Sequence, residues 1–211
     1  MSDSAIFGGQ LTDYARQIRH NYPLSTYDHR QYLPTGVAPL FYSEKFRLGY
    51  AGFKREVASV IQPKHIIEIG VGLGISALAF LDGCPNATYL GIDNDCEQDR
   101  DFPVIPSQFV GNLLGSRGRI RVADSTKIDR LPQVDLVHVD GGHSYDDAYN
   151  DVLLAWRSEA RWILVDDARD SVVSAATFAA LHRKSPGSVD WAYFEDTWTG
   201  SILISRVKER P

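Results

Sequence analysis

The stretch Val134-Asp-Leu-Val-His-Val-Asp140-Gly-Gly-His143-Ser-Tyr145 decides the fold that we predict for this chain of 211 residues. Its first six residues read as a buried strand, and Asp140 follows directly where that strand ends. Two glycines then allow a sharp turn that presents His143. Because ligands of open α/β sheets bind at the carboxyl ends of the strands, Asp140 and His143 are candidate functional residues.

Apolar strands and amphipathic helices alternate on both sides of this stretch. Such alternation predicts an α/β fold, with a mostly parallel sheet covered by helices on both faces. The predicted strands are 65–69, 88–92, 120–122, 134–139, 162–165, 191–194 and 201–205, and the predicted helices are 11–22, 46–61, 76–81, 107–114, 144–156 and 171–181. Residues 1–62 differ in character, so we predict a small amino-terminal helical cap on the acceptor side. Residues 63–211 form the predicted core, and whether residues 1–40 form a mobile lid stays open.

The composition of the chain argues against some classes of binding partner. The net charge of −5 and the pI near 5.6 argue against a nucleic acid. No apolar run approaches the length of a membrane span, and no signal peptide is evident, so we expect a cytoplasmic protein that does not bind membranes. Cys84 and Cys96 match no metal-ligand spacing and are expected to be reduced thiols. A homodimer is compatible with the sequence but not required by it.

A glycine-rich turn, Glu68-Ile-Gly70-Val-Gly72-Leu-Gly74, stands between the first predicted strand of the core and its helix. Glycines let the backbone approach a ligand closely, and the amino end of the helix offers unpaired N–H groups. The dinucleotide pattern would need glycine at position 75 or 77, where Ile75 and Ala77 stand. The turn resembles motif I of the class I S-adenosylmethionine (SAM) methyltransferases instead.

That resemblance implies a seven-stranded Rossmann-like sheet whose last strand is antiparallel. It also implies that Asp93, at the end of the second strand, binds the ribose hydroxyls. Asp124, with Ser125 beside it, would lie near the adenine amino group. The implied SAM-binding residues are Glu68, Gly70, Gly72, Gly74, Ser76, Asp93, Asp124 and Ser125.

Asp166 and Asp167 follow the predicted strand 162–165, just as Asp140 follows strand 134–139. If the two strands are neighbours, their ends lie about 5 Å apart. Carboxylates that converge there repel one another unless a cation joins them, and a hard divalent ion, Mg²⁺ first, suits oxygen ligands. The alternative is that Asp166 and Asp167 only form the turn before the next helix.

His143 is a candidate general base, because an imidazole of ordinary pKa accepts a proton at neutral pH. A metal on an acceptor hydroxyl would lower the pKa of that hydroxyl and help the base. The alternative is a histidine that merely enters the next helix. His138 lies inside the strand and is predicted to be a core residue.

The pattern Asp-Gly-x-His-x-Tyr, from Asp140 to Tyr145, together with the Asp166-Asp167 pair, resembles the metal-dependent sugar O-methyltransferases of the macrocin group. The resemblance implies that Asp140, Asp166 and Asp167 bind Mg²⁺ and that His143 is the base. Catechol-type methyltransferases share the metal layout but carry lysine in place of His143. They are the nearest alternative, with a phenol as acceptor.

The chain departs from the macrolide enzymes in being short, with no large amino-terminal extension, so a small saccharide such as a mannoside fits equally well as the acceptor. In overall character the chain also resembles the mannoside O-methyltransferases of mycobacterial polymethylated polysaccharide synthesis. The candidate acceptor residues are Tyr14, Tyr32, Arg47, Tyr50, Tyr145 and Trp198.

The predicted function is therefore a SAM- and Mg²⁺-dependent O-methyltransferase that acts on the hydroxyl of a small saccharide. Two alternatives belong to other classes. A nicotinamide-dependent oxidoreductase would also use Asp93, but the glycine spacing argues against it. A non-catalytic SAM-binding module would be expected to lack the carboxylates or the base, and the sequence has both.

Overall fold

A computed structural model describes residues 9–96, 103–184 and 189–206. The strands are β1 His65–Ile69, β2 Thr88–Asp93, β3 Gly118–Val122, β4 Leu136–Val139, β5 Trp162–Val165, β6 Val189–Phe194 and β7 Ser201–Arg206. The helices are α1 Gly9–Asn21, α2 Glu44–Phe46, α3 Phe53–Ile61, α4 Ile75–Gly83, α5 Pro106–Leu114, α6 Tyr145–Arg157 and α7 Ser171–Lys184. Every predicted strand is present, with each end within two residues of its predicted position.

The seven strands form one sheet in the order β3-β2-β1-β4-β5-β7-β6. Strands β1 to β5 are parallel, and β7 runs antiparallel between β5 and β6. The prediction of a mostly parallel, Rossmann-like sheet with an antiparallel last strand is confirmed. In the register, Ile69 pairs with Val139 and Val139 pairs with Val165. The turns after β1, β4 and β5 therefore meet at one edge of the sheet.

Helices cover both faces of the sheet, which explains why its central strands are continuous apolar runs. Leu136 and Leu164 face one side and pack with α3 and α4, whereas Val137 and Ile163 face the other side and pack with α6 and α7. This alternation is the two-residue period of a strand. Glu68 and His138 are polar residues buried within β1 and β4, and further polar residues follow at the carboxyl ends of the strands, where the site lies.

The predicted helix over 46–61 has an irregular first half. Helix α2 passes into a π-helical segment, Arg47–Gly52, which continues into α3. Such π-helical turns occur often at functional sites. A Cβ on Gly49 would lie 3.1 Å from the backbone nitrogen of Trp198, so a small residue lets the segment approach the loop after β6. The segment presents Tyr50 to the carboxyl edge of the sheet.

The segment between α1 and α2 is an ordered run of 3₁₀ turns held by side chains. His29 Nε2 lies 2.7 Å from the Phe41 carbonyl oxygen, and Arg47 donates to the carbonyls of Ser25 and Tyr27 at 2.8 Å.

In the part of the chain that the structure describes, no helix has the length and apolarity to cross a membrane. Cys84 is buried and Cys96 exposed, and both are free thiols.

Candidate active site

A cavity of about 530 Å³ opens at the carboxyl edge of the sheet. Its wall combines the turns that follow β1, β4 and β5 with the end of β2, the loop after β3 and part of the amino-terminal segment. The predicted residues that line it are Gly70, Gly72, Asp93, Asp124, Ser125, Asp140, His143, Asp166, Asp167, Tyr50 and Trp198. The topology thus brings most of the predicted site into one space.

The glycine-rich turn takes a backbone form that needs glycine. Gly70 has φ +81°, and a Cβ there would overlap the carbonyl oxygen of Asp140. The backbone N–H groups of Val71 and Gly72 donate to Oδ2 of Asp93 at 2.7 and 3.2 Å. Asp93 therefore holds the turn against the end of β2 while its carboxylate also lines the cavity. Gly74, with φ +69°, lets the turn pack on Val110.

Glu68 and Ser76 lie beneath the cavity, which departs from their predicted role in direct cofactor binding. The fully buried Glu68 carboxylate accepts hydrogen bonds from Ser76 and Tyr89, and lies 2.7 Å from Nδ1 of His138. A buried charge of this kind is tolerated because its oxygens are occupied by donors. His138 is a core residue, as predicted. The hydrogen bonds of Glu68 therefore stabilise the turn after β1 from the buried side.

Three residues after β4 and β5 form the centre of the site. Single ligand atoms of Asp140, His143 and Asp167 all lie within 4.8 Å of one another, and His143 Nε2 is 2.9 Å from Oδ2 of Asp167. Tyr50 donates to Oδ2 of Asp140 at 2.6 Å. Asp167 has φ +54°, a strained conformation for a residue with a side chain. The turn after β5 is thus bent so that this carboxylate reaches His143.

The site is short of positive charge, and its pKa values reflect this. Burial, followed by the charge of Asp166, raises the pKa of Asp140 to about 7. The hydrogen bond to Asp167 raises the pKa of His143 to about 9, although its side chain is 60% exposed. Burial opposes ionisation of Asp167, but the bond from His143 keeps its pKa below the ordinary value. His143 therefore holds a proton at neutral pH unless another cation offsets the charge of Asp167.

Asp166, the third predicted metal ligand, lines the cavity but pairs with a buried lysine. Lys54 Nζ lies 2.7 Å from Oδ2 of Asp166, and both side chains are at most 2% exposed. The contact is an ion pair, and neither atom has a hydrogen-bond partner among the described residues. Ser201 donates to the other oxygen, Oδ1, at 2.6 Å. A role for Asp166 as a metal ligand stays a prediction.

Lys54 was not among the predicted site residues, although its position in the sequence indicates that it is buried. Lys54 lies four residues after Tyr50 and three before Val57, on the helix face that is otherwise apolar. A lysine on such a face indicates a buried partner, since an unpaired ammonium in a core is costly. Its Nζ also lies 4.4 Å from the centre of the Tyr50 ring, within cation–π range. The residue joins the amino-terminal segment to the end of β5.

Replacing Lys54 with methionine is expected to destabilise the fold by about 3–5 kcal/mol, because it leaves the Asp166 carboxylate buried and uncompensated. The free energy of unfolding, from urea titration monitored by circular dichroism, measures the loss. Arg130→Met is the matched control, since Arg130 and its partner Glu159 are both about 70% exposed and such pairs contribute little. Equal effects of the two substitutions would contradict the role assigned to Lys54.

The six candidate acceptor residues divide into two groups. Tyr50 and Trp198 line the cavity, whereas the other four contribute nothing to its wall as the described residues form it. Arg47 binds backbone carbonyls, Tyr14 packs on Trp162, and Tyr145 stacks on Tyr149 at the surface. Tyr32 is exposed. The lining residues that were not predicted to belong to the site include Phe41, Phe46, Asp147 and Asp151.

The sheet order and the site at its carboxyl edge define a class I, Rossmann-like methyltransferase fold. Residues 67–168, just under half of the chain, match the model of a family described as a methyltransferase domain. The match spans the glycine-rich turn, the Asp140–His143 turn and the Asp166-Asp167 pair. This match identifies a methyltransferase domain within the chain, in agreement with the predicted class of enzyme. No curated protein sequence matches the chain at a significant level.

Solved structures with the same fold cover nearly the whole chain at low identity. PaMTH1 of Podospora anserina, solved with bound SAH, is 16% identical with a TM-score of 0.55; the match covers 98% of this chain and 91% of that one. A methyltransferase from Geobacter sulfurreducens is 13% identical with a TM-score of 0.56, covering 99% and 93%. The O-methyltransferase TomG of Streptomyces achromogenes, involved in tomaymycin synthesis and solved with SAM, is 14% identical with a TM-score of 0.54, covering 97% and 93%.

Proposed function

We propose that this protein is a SAM-dependent O-methyltransferase that needs Mg²⁺ and acts on a hydroxyl of a small saccharide, for example a mannoside. One observation carries the proposal. Asp140, His143 and Asp167 converge within 4.8 Å in the cavity that also holds the glycine-rich turn and Asp93. Structures of similar fold have SAM or SAH bound, which supports the same cofactor here.

The residues present fit a hard divalent cation. Asp140 and Asp167 offer carboxylate oxygens, and Mg²⁺ is commonly held by one or two carboxylates with water or substrate completing its shell. Burial and then the charge of Asp166 raise the pKa of Asp140, and the hydrogen bond to Asp167 raises that of His143, so a bound cation would be favoured by the same carboxylates. When bound, the cation would lower the pKa of an acceptor hydroxyl.

The chain's own residues would then orient the acceptor and take its proton. The acceptor oxygen attacks the SAM methyl carbon, the bond from that carbon to sulfur breaks, and its electron pair stays on sulfur to give S-adenosylhomocysteine. Nε2 of His143 pairs with the Asp167 carboxylate, so Nδ1 is the ring nitrogen that would accept the hydroxyl proton. Tyr50 fixes the Asp140 carboxylate. Alignment of donor and acceptor supplies much of the rate.

The amino-terminal segment, residues 1–62, supplies the acceptor side in this proposal. Phe41, Phe46 and Tyr50 line the cavity from it, and Trp198 faces them. The Phe46 and Tyr50 rings stack with centres 4.7 Å apart, and Phe46 meets Trp198 edge-on at 5.2 Å. Aromatic walls pack against the C–H face of a sugar. They would also accept a phenol, so an aromatic diol is the second candidate acceptor.

The proposal is tested by incubating the protein with SAM, Mg²⁺ and a panel of mono- and disaccharides that includes mannosides, with catechol as a comparison acceptor. Mass spectrometry is expected to show a one-methyl gain on a saccharide and equimolar S-adenosylhomocysteine. Exhaustive EDTA should stop the reaction, and added Mg²⁺ should restore it. If only catechol is methylated, the acceptor is a phenol and not a saccharide. An undiminished rate after chelation would refute the metal requirement.

A further inference from the structure

Asp151 is a buried carboxylate in the cavity wall that the proposed reaction does not use. It lies in α6, is 2% exposed, and its Oδ1 has no hydrogen-bond partner among the described residues. Oδ2 lies 2.6 Å from the point that a Cβ on Gly141 would occupy, so the glycine makes room for it. Burial raises the pKa of Asp151 to about 6. A buried acceptor without a donor is costly unless a ligand supplies one.

The position of Asp151 marks the cofactor end of the cavity. Ser125 and Thr126 line the same wall, and the Ser125 side chain interacts with the Asp151 carboxylate. Asp140, His143 and Asp167 line the same cavity. Among the described residues that line the cavity there is no lysine or arginine, so no side-chain cation there neutralises Asp151. The missing partner is therefore a ligand donor next to residues 125–126.

Asp124, which the resemblance implies for the adenine amino group, has its oxygens committed elsewhere. Oδ1 accepts from the backbone nitrogen and the hydroxyl of Thr126 at 3.0 and 2.6 Å, and Oδ2 lies 3.0 Å from Lys127 Nζ. These contacts, that of the Thr126 side chain first, lower the pKa of Asp124. Asp124 thus caps the 3₁₀ turn Ser125–Lys127. Both oxygens of Asp124 thus have partners within the protein, whereas Oδ1 of Asp151 has no hydrogen-bond partner among the described residues.

We propose that Asp151 recognises the exocyclic amino group of the adenine of SAM, with Oδ1 accepting its N–H. The inference rests on the proposed function, because it requires SAM in this cavity. The proposal places the recognition of the adenine ring on α6 rather than on the loop after β3. A 6-oxo purine would place an acceptor against the unpaired carboxylate, and sites built around a buried polar group reject ligands that leave it unpaired.

The test compares S-adenosylhomocysteine with its inosine analogue, in which the 6-amino group is replaced by oxygen. Isothermal titration of the wild-type protein is expected to show a preference of about 10- to 100-fold for the adenine ligand. Asp151→Asn offers both a donor and an acceptor, so it should bind S-adenosylhomocysteine more weakly and the inosine analogue better. The preference should then fall below about fivefold. Asp151→Asn should fold, because it removes a buried charge.

Asp124→Asn is the matched comparison, and it is expected to leave the ratio of the two affinities unchanged. A shift of the ratio in Asp124→Asn but not in Asp151→Asn would overturn the inference and return adenine recognition to Asp124. If the wild-type protein binds both ligands with equal affinity, the inference about Asp151 is wrong, whatever the variants show. Binding of neither ligand by the wild-type protein would refute the proposed function, and the inference with it.

Discussion

Replacing Asp140 with asparagine is expected to lower kcat for methyl transfer by about 10²- to 10³-fold. Asp140 stands where the cavity, the Tyr50 hydroxyl and the His143–Asp167 pair meet. Asparagine keeps the size of the side chain and still accepts from Tyr50, so the fold should persist. It removes the carboxylate charge that a divalent cation needs. Initial rates as a function of Mg²⁺ concentration, with Mg²⁺ affinity from titration calorimetry, measure the effect.

The matched control is Asp13→Asn on α1, whose side chain is 69% exposed and pairs only with Arg16 on its own helix among the described contacts. That variant should keep wild-type rates and Mg²⁺ dependence. The variant at Asp140 should bind SAH nearly as well as wild type, because the glycine-rich turn and Asp93 are untouched. Wild-type stimulation by Mg²⁺ in Asp140→Asn would exclude Asp140 as a ligand and leave the metal site unassigned.

The backbone arrangement of this site was predictable because it follows from strand direction alone. Apolar runs located every strand, and parallel strands necessarily bring their carboxyl ends to one edge. Asp93 ends β2, Asp140 directly follows β4 and Asp167 is the second residue after β5, so their meeting could be expected. The antiparallel β7 came from the family resemblance and is confirmed.

Side-chain partners across elements were not predictable, because spacing gives the face of an element but not what packs on it. Glu68 follows the motif, yet its side chain points into the core toward Ser76 and His138. Asp166 sits beside Asp167, yet adjacent residues on a strand end point to opposite sides, and Asp166 meets Lys54. Arg47 was expected to contact an acceptor but instead holds two backbone carbonyls. The cases of Asp166 and Arg47 depend on how the amino-terminal segment docks on the sheet, and the case of Glu68 depends on how β1, β4 and α4 pack together.

Replacing His143 with glutamine is expected to lower kcat by about 10²- to 10⁴-fold while changing SAH affinity little. Glutamine can still donate to Asp167, so the turn after β4 should keep its place. It has no basic nitrogen to accept the acceptor's proton. His182→Gln on α7 is the control, because His182 is an exposed histidine remote from the cavity. Single-turnover rates with saturating SAM separate this loss from any change in binding.

The pH dependence of the reaction provides a second test of His143. The Asp167 carboxylate raises the pKa of this imidazole to about 9, and a base must be unprotonated to act. Because the proposed reaction requires Mg²⁺, and a cation beside Asp167 would offset the charge of that carboxylate, wild-type kcat should rise with pH to an inflection below about 9, toward the ordinary value of about 6.5. His143→Gln should lose the inflection together with the rate. If the variant keeps the wild-type inflection, another group takes the proton, and His143 serves only to hold Asp167.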